Sequence, residues 1–216
     1  MLYLCEVITN PMMRIFIRAI AIGIIALCGV TTASAQGYVK LNGLYALGGV
    51  VNPQVEIRLT KHSAFQSELV YSPWRSIEGH HMHFGIFSNE YRYYIREAND
   101  GFYVGAEAGV MLFDVSKPQL TNGKLSFQNR YCKGYGCLGA VVVGYEWRFA
   151  ERWLLDAYVG FGYMHSMYNG YSMEGEVDMY PHRPEDKQPS SPDPFNASAE
   201  WLPTKIGLSI GFLLWK

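Results

Sequence analysis

Charged side chains in this chain arrive on alternate positions of otherwise apolar runs, and that spacing limits what it can fold into. From Gly101 to Phe113, Phe102, Val104, Ala106, Ala108, Val110 and Leu112 take one parity, while Tyr103, Gly105, Glu107, Gly109 and Met111 take the other. A period of two belongs to a strand with unlike faces. Here one face is apolar and the other sets a carboxylate among glycines. The rhythm recurs, giving eight expected strands: Tyr38 to Leu47, Gln54 to Thr60, Ala64 to Tyr71, His81 to Arg96, Gly101 to Phe113, Gly136 to Phe149, Trp153 to Tyr168 and Thr204 to Trp215. The reading is an all-β chain, an eight-stranded antiparallel transmembrane β-barrel with a polar, plugged interior.

The connections alternate in length. Lys61-His62-Ser63, Glu97 to Asp100 and Ala150-Glu151-Arg152 are short polar turns. Gly48 to Pro53, Ser72 to His80, Asp114 to Tyr135 and Asn169 to Pro203 are longer. Tight turns at one end and long loops at the other are the habit of outer-membrane barrels.

Face assignments agree from strand to strand. Val55, Ile57, Leu59, Val141, Val143, Tyr145, Trp147, Leu155, Val159, Phe161, Ile206, Leu208, Ile210 and Phe212 are expected outside. Lys40, Asn42, Glu56, Arg58, Gln66, Glu68, Glu90, Arg92, Glu107, Glu146, Arg148, Asp156 and Lys205 are expected inside. Lys or Arg facing hydrocarbon costs about 2–4 kcal/mol at mid-membrane, so inward placement with mutual pairing is the cheap arrangement. Asn89 fits badly: it turns outward if Glu90 and Arg92 turn inward, which suggests a bulge. Tyr71, Trp74, Tyr91 to Tyr94, Trp147, Phe149, Trp153, Tyr163, Tyr168 and Trp215 gather at strand ends and read as two interfacial girdles. A soluble barrel would reverse the faces. Gly105, Gly109, Gly144, Gly160, Gly162, Gly207 and Gly211 share the charged parity, where they make room in a narrow lumen, and this favours the membrane form.

Residues 1–35 read as an export signal. Arg14 and Arg18 precede the apolar run Ala19 to Val30, and Ala33-Ser34-Ala35 offers a cleavage site before Gln36. The run is short against the ~20 residues of a spanning helix. Lipoprotein processing at Cys28 is disfavoured by bulky Leu27, and Glu6 makes Met1 to Pro11 a poor n-region, which leaves Met12 and Met13 as alternative starts. Residues 36–216 then form a single barrel domain with a long loop at 169–203. Two of the 18 basic and one of the 19 acidic residues leave with the signal. The near balance that remains provides no basic footprint for nucleic acid. Cys132 and Cys137 stay behind, around glycines that allow a local disulfide; the sequence leaves their bonding open. Zinc is disfavoured, for no second pair has matching spacing.

No catalytic, cofactor-binding or metal-binding residue is assigned, and no cofactor is expected. His81 and His83 share a strand parity that suits two imidazoles on one metal, but a third ligand is lacking, and a polar loop rim is the preferred reading. An acyl-transfer or deacylation site needs a base beside a hydroxyl nucleophile. His165 with Ser166, or His83 with Ser88, are the available pairs, and Ser166 faces away from His165. The inner charges read as a salt-bridged plug rather than a channel, because eight strands leave an interior that side chains just fill. Met173, Met179, Tyr180, Phe195 and Trp201 make the last loop either a binding surface or a plain surface segment.

Several segments, in order, resemble the outer-membrane barrels catalogued as domain of unknown function 3575. They are Asn42-Gly43-Leu44-Tyr45, Asn52-Pro53 with Val55-Glu56, and Tyr71-Ser72-Pro73-Trp74. Glu90-Tyr91-Arg92-Tyr93-Tyr94, Gly144-Tyr145-Glu146 ahead of Arg152-Trp153, and Pro203-Thr204-Lys205 complete the set. Leu202, where glycine is expected, and the Pro-rich stretch from His182 to Pro194 depart from the pattern. The resemblance implies a Gram-negative surface barrel and brings no mechanism. The function expected is therefore a structural or surface-interaction role in the cell outer membrane, as a monomer. Its partners would be outer-membrane lipid, lipopolysaccharide and a surface glycan or protein met by the loops. A lipid-modifying outer-membrane barrel enzyme is the first alternative. A soluble periplasmic barrel holding a small apolar ligand is the second.

Overall fold

A computed structural model of the chain describes residues 36–74, 81–116, 118–121, 124–127, 130–172 and 196–215. The expected export signal at residues 1–35, His80, the Pro-rich stretch and Met173, Met179, Tyr180 and Phe195 lie outside the described residues. The elements are β1 (Gly37–Asn42), α1 (Gly43–Leu47), β2 (Pro53–Arg58), β3 (Ser63–Ser72), β4 (Met82–Tyr94) and β5 (Gly101–Val115). They continue as β6 (Pro118–Thr121), β7 (Lys124–Phe127), β8 (Arg130–Arg148), β9 (Trp153–Ser172) and β10 (Asn196–Trp215). Eight antiparallel strands form one ring in the order β1-β10-β9-β8-β5-β4-β3-β2, closed by pairing of β1 with β10 and β2; β6 and β7 make a separate hairpin.

The ring differs from the sequence reading chiefly at the loop end. The first strand stops at Asn42 rather than Leu47, because the Asn42 side chain accepts from the Leu44 amide and caps the start of α1. β8, β9 and β10 run well past their expected limits, and β6–β7 occupies ground expected to be loop. The wall is therefore low at β1–β2 and tall at β8–β10. Cys132 and Cys137 both lie on β8, one buried and one exposed. Five residues of extended chain separate them by roughly 16 Å, and an odd spacing turns them to opposite faces, so no local disulfide joins them.

The faces follow the alternation. Lys40, Glu56, Gln66, Glu68, Glu90, Arg92, Glu107, Glu146, Asp156 and Lys205 are buried inside the ring. Outside, Phe102 (62 % exposed), Val141 (58 %) and Ile206 (61 %) typify a belt that also holds Val104, Val143, Val159, Phe161, Leu208 and Ile210. Ile57, expected outside, is buried. β4 carries no bulge: its pairing with β3 and β5 runs unbroken, and Asn89 instead accepts a 2.7 Å hydrogen bond from Ser67 on β3. Tyr94 and Tyr168, expected in the girdles, are buried. Parity places both inside, leaving Tyr91, Tyr93, Trp147, Trp153 and Trp215 exposed near the short turns, with Tyr71, Trp74, Tyr163 and Trp201 exposed near the loops.

Inner glycines let neighbouring side chains cross the lumen. A Cβ at Gly207 would fall 2.1 Å from the Tyr158 ring, and one at Gly105 would fall 2.3 Å from Glu90. The short-turn end is stoppered by the chain itself. The turn 95–100 tucks Ala98 and Asn99 wholly out of solvent, with Asn99 at φ 65°, a left-handed conformation that Asn tolerates better than most residues.

Candidate functional site

Two sites share the lumen. The one nearer the short turns is ionic. Cross-strand registry sets like charges side by side, Glu90 against Glu107 and Glu146 against Asp156, a destabilising arrangement on its own. Cations from other strands resolve it. Lys40, on β1, pairs with Glu56, Glu146 and, at 3.0 Å, Asp156. The Arg92 guanidinium reaches Glu90 and Glu56 at 2.9 Å, Glu146 at 3.1 Å and Asp156 at 2.8 Å, with its face 4.4 Å from the Tyr103 ring centre. Tyr94, Asn99 and Tyr103 donate to the remaining oxygens of Glu56 and Asp156.

A second knot lies next to it. Lys205 contacts Glu68 at 3.2 Å, Glu90 at 2.6 Å and Glu107 at 3.1 Å, so Glu90 ties the two knots together. Asn52, Gln54 and Asn42 extend the mesh to Glu68 and the Tyr158 hydroxyl. These bonds link side chains across the section. Glu56, Glu146 and Asp156 present carboxylate oxygens within 4.8 Å of one another, a grouping that suits a cation, but Lys40 and Arg92 already meet that charge. Arg58 and Arg148, expected among the inner charges, are only half-buried and lie at the stopper. Arg58 pairs with Glu97 at 3.0 Å, and Arg148 donates to the Ala98 carbonyl. The Arg58 hydrogen bond holds the Glu97 carboxyl below its ordinary range.

Towards the loops the lumen changes character. A cavity of about 230 Å³ opens there, walled mainly by Phe84, Ile86, Met111, Phe113, Tyr168 and Leu202, with Ser166, Ser198 and Glu200 as its polar points. Ser166 is 7 % exposed and is the most deeply buried of the three. The sequence reading missed this cavity, although a signal was present. On the inner parity the polar side chains end at Glu107 and Ser88, and beyond them come Met111, Phe113, Ile86 and Phe84.

The histidine pairs raised by the sequence are not assembled. His83 shares a hydrogen bond of 3.2 Å with the Tyr71 hydroxyl, whereas Ser88 is buried on the other face of the same strand. His81 lies 2.8 Å from Asp114 and stacks on Tyr131, at the rim. His165 and Ser166 are consecutive residues of β9 and so face opposite sides of the wall. No hydroxyl meets an imidazole base in these pairs. Trp201, from the last loop of the sequence reading, is part of β10 and projects outward beside Tyr163 and Phe161.

A family model described as a protein of unknown function (DUF3575) matches residues 20–214. Neither the curated proteins nor the solved structures contain a match to the chain.

Proposed function

The chain belongs to that family of unknown function, and from there we propose that it is a monomeric outer-membrane β-barrel with a structural and surface-interaction role. The observation that carries the reading is the exterior. On the strand faces turned outward, no Asp, Glu, Lys or Arg is found among the described residues except Asp114 and Lys133. Those two pair with each other at 3.2 Å, close to the loops. From Tyr145 to Tyr135 on β8, ten residues at the tilt usual for such barrels span about 25 Å, the height of an outer-membrane apolar band. A continuous exposed surface of this kind marks contact with lipid or with another protein. The ionic lumen supports the same reading, since buried charges paired across the ring suit the narrow interior of an eight-stranded barrel.

In this role the tall wall carries its loops to the cell surface. Its partners are the lipid and lipopolysaccharide packed around it and the surface glycan or protein that the loops meet. The unassembled histidine pairs give the lipid-modifying alternative no support, and the outward apolar belt argues against the soluble one. Cell fractionation tests the proposal: the protein should enter the outer-membrane fraction and migrate faster in detergent gels unboiled than boiled. Recovery from the periplasmic wash would defeat it.

A further inference from the structure

We propose that the loop-end cavity binds a single alkyl chain bearing an uncharged or cationic polar head. The inference depends on the closed ring and the cavity within it, not on membrane insertion, so either can fail while the other stands.

The wall chemistry sets the body of the ligand. Phe84, Ile86, Met111, Phe113, Val115 and Leu202 offer carbon and sulfur. A volume near 230 Å³ exceeds the ~150 Å³ of an engineered apolar cavity that holds benzene. Along β5 the lining runs from Val115 inward to Met111, four residues or roughly 13 Å, a depth that favours an extended chain over a single ring. Below it Glu107, Lys205 and their partners close the floor with charge, so a chain cannot pass further.

The polar points set the head. Ser166, a largely buried residue, sets a hydroxyl in the cavity lining. A ligand hydroxyl, amide or ammonium at that level can share a hydrogen bond with it. Glu200 is the acid among the lining residues, and no Lys, Arg or His lines the cavity beside it. A carboxylate or phosphate head would face its like charge, whereas a neutral or cationic head would not.

Two sources can supply that chemistry, a free amphiphile or a bilayer lipid. The second has a route in the wall. β10 pairs with β1 only from Ser209 to Trp215, so its stretch from Asn196 to Leu208 has β9 on one edge and no strand on the other among the described residues. The Asn42 side chain serves that open edge at Ile206 and Leu208. Ser198, Glu200 and Leu202, further along the same edge, line the cavity.

The test follows methyl resonances of Met111 and Met164 inside the cavity, with Met167 on the outer face as reference. The folded full-length protein in chain-deuterated detergent is titrated with hexylamine, hexanol and hexanoate. The inner methyls should shift saturably while Met167 does not, and hexylamine should bind about tenfold more tightly than hexanoate at low salt. Ile86→Trp should weaken all three at least tenfold by filling the space. If that variant does not fold, Leu202→Trp at the mouth replaces it. Ser166→Ala should weaken hexanol about fivefold. In bicelles, magnetisation transfer from protonated lipid chains to Met111 and Met164 would assign the ligand to the bilayer, and transfer only from added amphiphile would assign it to solution. Linear, unsaturable shifts shared by Met167 would overturn the proposal. So would saturable binding that appears only after residues 173–195 are deleted, because the cavity would then belong to the chain's own segment.

Discussion

The two halves of the lumen share β4, β5, β8, β9 and β10, yet one is crossed by ion pairs and the other is an apolar hollow. Near the short turns, Arg92 alone touches four carboxylates, and each charge draws a partner across the ring. Directional, desolvated contacts of this kind hold side chains in one arrangement. Near the loops, Ile86, Met111 and Phe113 have no such demand to meet, and their section is left partly unfilled. The difference teaches that, among the described residues, the lumen is cross-linked by charge at one end and lined by carbon at the other, where the ligand is proposed. Substitutions in the two halves should therefore differ in both size and kind.

The largest effect belongs to the ionic half. Arg92→Ala leaves Glu90, Glu56, Glu146 and Asp156 without their shared cation, a loss of about 3–5 kcal/mol. Urea unfolding in detergent should show a much earlier midpoint. Met111→Ala in the apolar half enlarges a space that already exists and should cost about 2 kcal/mol, the low end for such a truncation. Equal midpoints for the two variants would remove the distinction between the halves.

The second effect compares inside with outside. Val143 is half exposed in the outer belt, and Val115 lines the cavity mouth. An arginine in the belt should cost about 2–4 kcal/mol if that belt meets hydrocarbon. Val115→Arg has water within reach at the mouth and should refold into vesicles almost as the parent does. Similar refolding yields from both variants would separate the apolar belt from any contact with lipid.

How much of this was legible in the sequence follows the same division. Glu107 between Gly105 and Gly109, or Arg92 between Tyr91 and Tyr93, shows both which face is inner and that a strand exists, because in this half the charges keep to one parity. The ionic half was therefore readable residue by residue. Which carboxylate meets which cation was not, since Lys40 and Asp156 lie 116 positions apart and only ring closure joins them. The apolar half was obscured because both faces of a stretch such as Val110 to Phe113 are apolar, and alternation of like with like does not tell one face from the other. The helix at Gly43 was hidden for a different reason: Asn42 continues the inner parity of Lys40, and its side chain then caps a helix instead. The reach of β8 to β10 past Tyr135, Tyr168 and Pro203 depends on pairing between distant segments, which local pattern does not report.

A third effect is steric. Gly207→Ala drives a methyl into the Tyr158 ring, whose hydroxyl accepts from Asn42 and Gln54. Tyr158 must shift and loosen those bonds, at about 1–3 kcal/mol. Gly139→Ala is the matched control: a Cβ there meets nothing closer than the Glu107 carbonyl at 3.9 Å. If calorimetry gave both alanines the same melting temperature, crowding at the inner face would not be what selects glycine.

The smallest effect lies at the stopper, where Glu97 meets Arg58 at 3.0 Å with nearly half of the Glu97 side chain exposed. Its carboxyl is held below the ordinary value of 4.5, by the Arg58 hydrogen bond first and by nearby positive charge after. A carboxyl whose folded pKa is depressed stabilises the fold above its unfolded pKa, and that contribution disappears as pH falls through the folded one. Exposure and salt screening keep such a pair to a few tenths of a kcal/mol. Glu97→Gln should thus lower the urea midpoint slightly at pH 7, with the gap closing as the pH is taken from 5 towards 3. A gap that widened on acidification would mean that Glu97 is protonated more readily in the folded chain than in the unfolded one, reversing the assigned sign. The same titration run on Lys205→Ala should show a far larger deficit throughout, because Glu68, Glu90 and Glu107 lose a desolvated partner rather than a screened one.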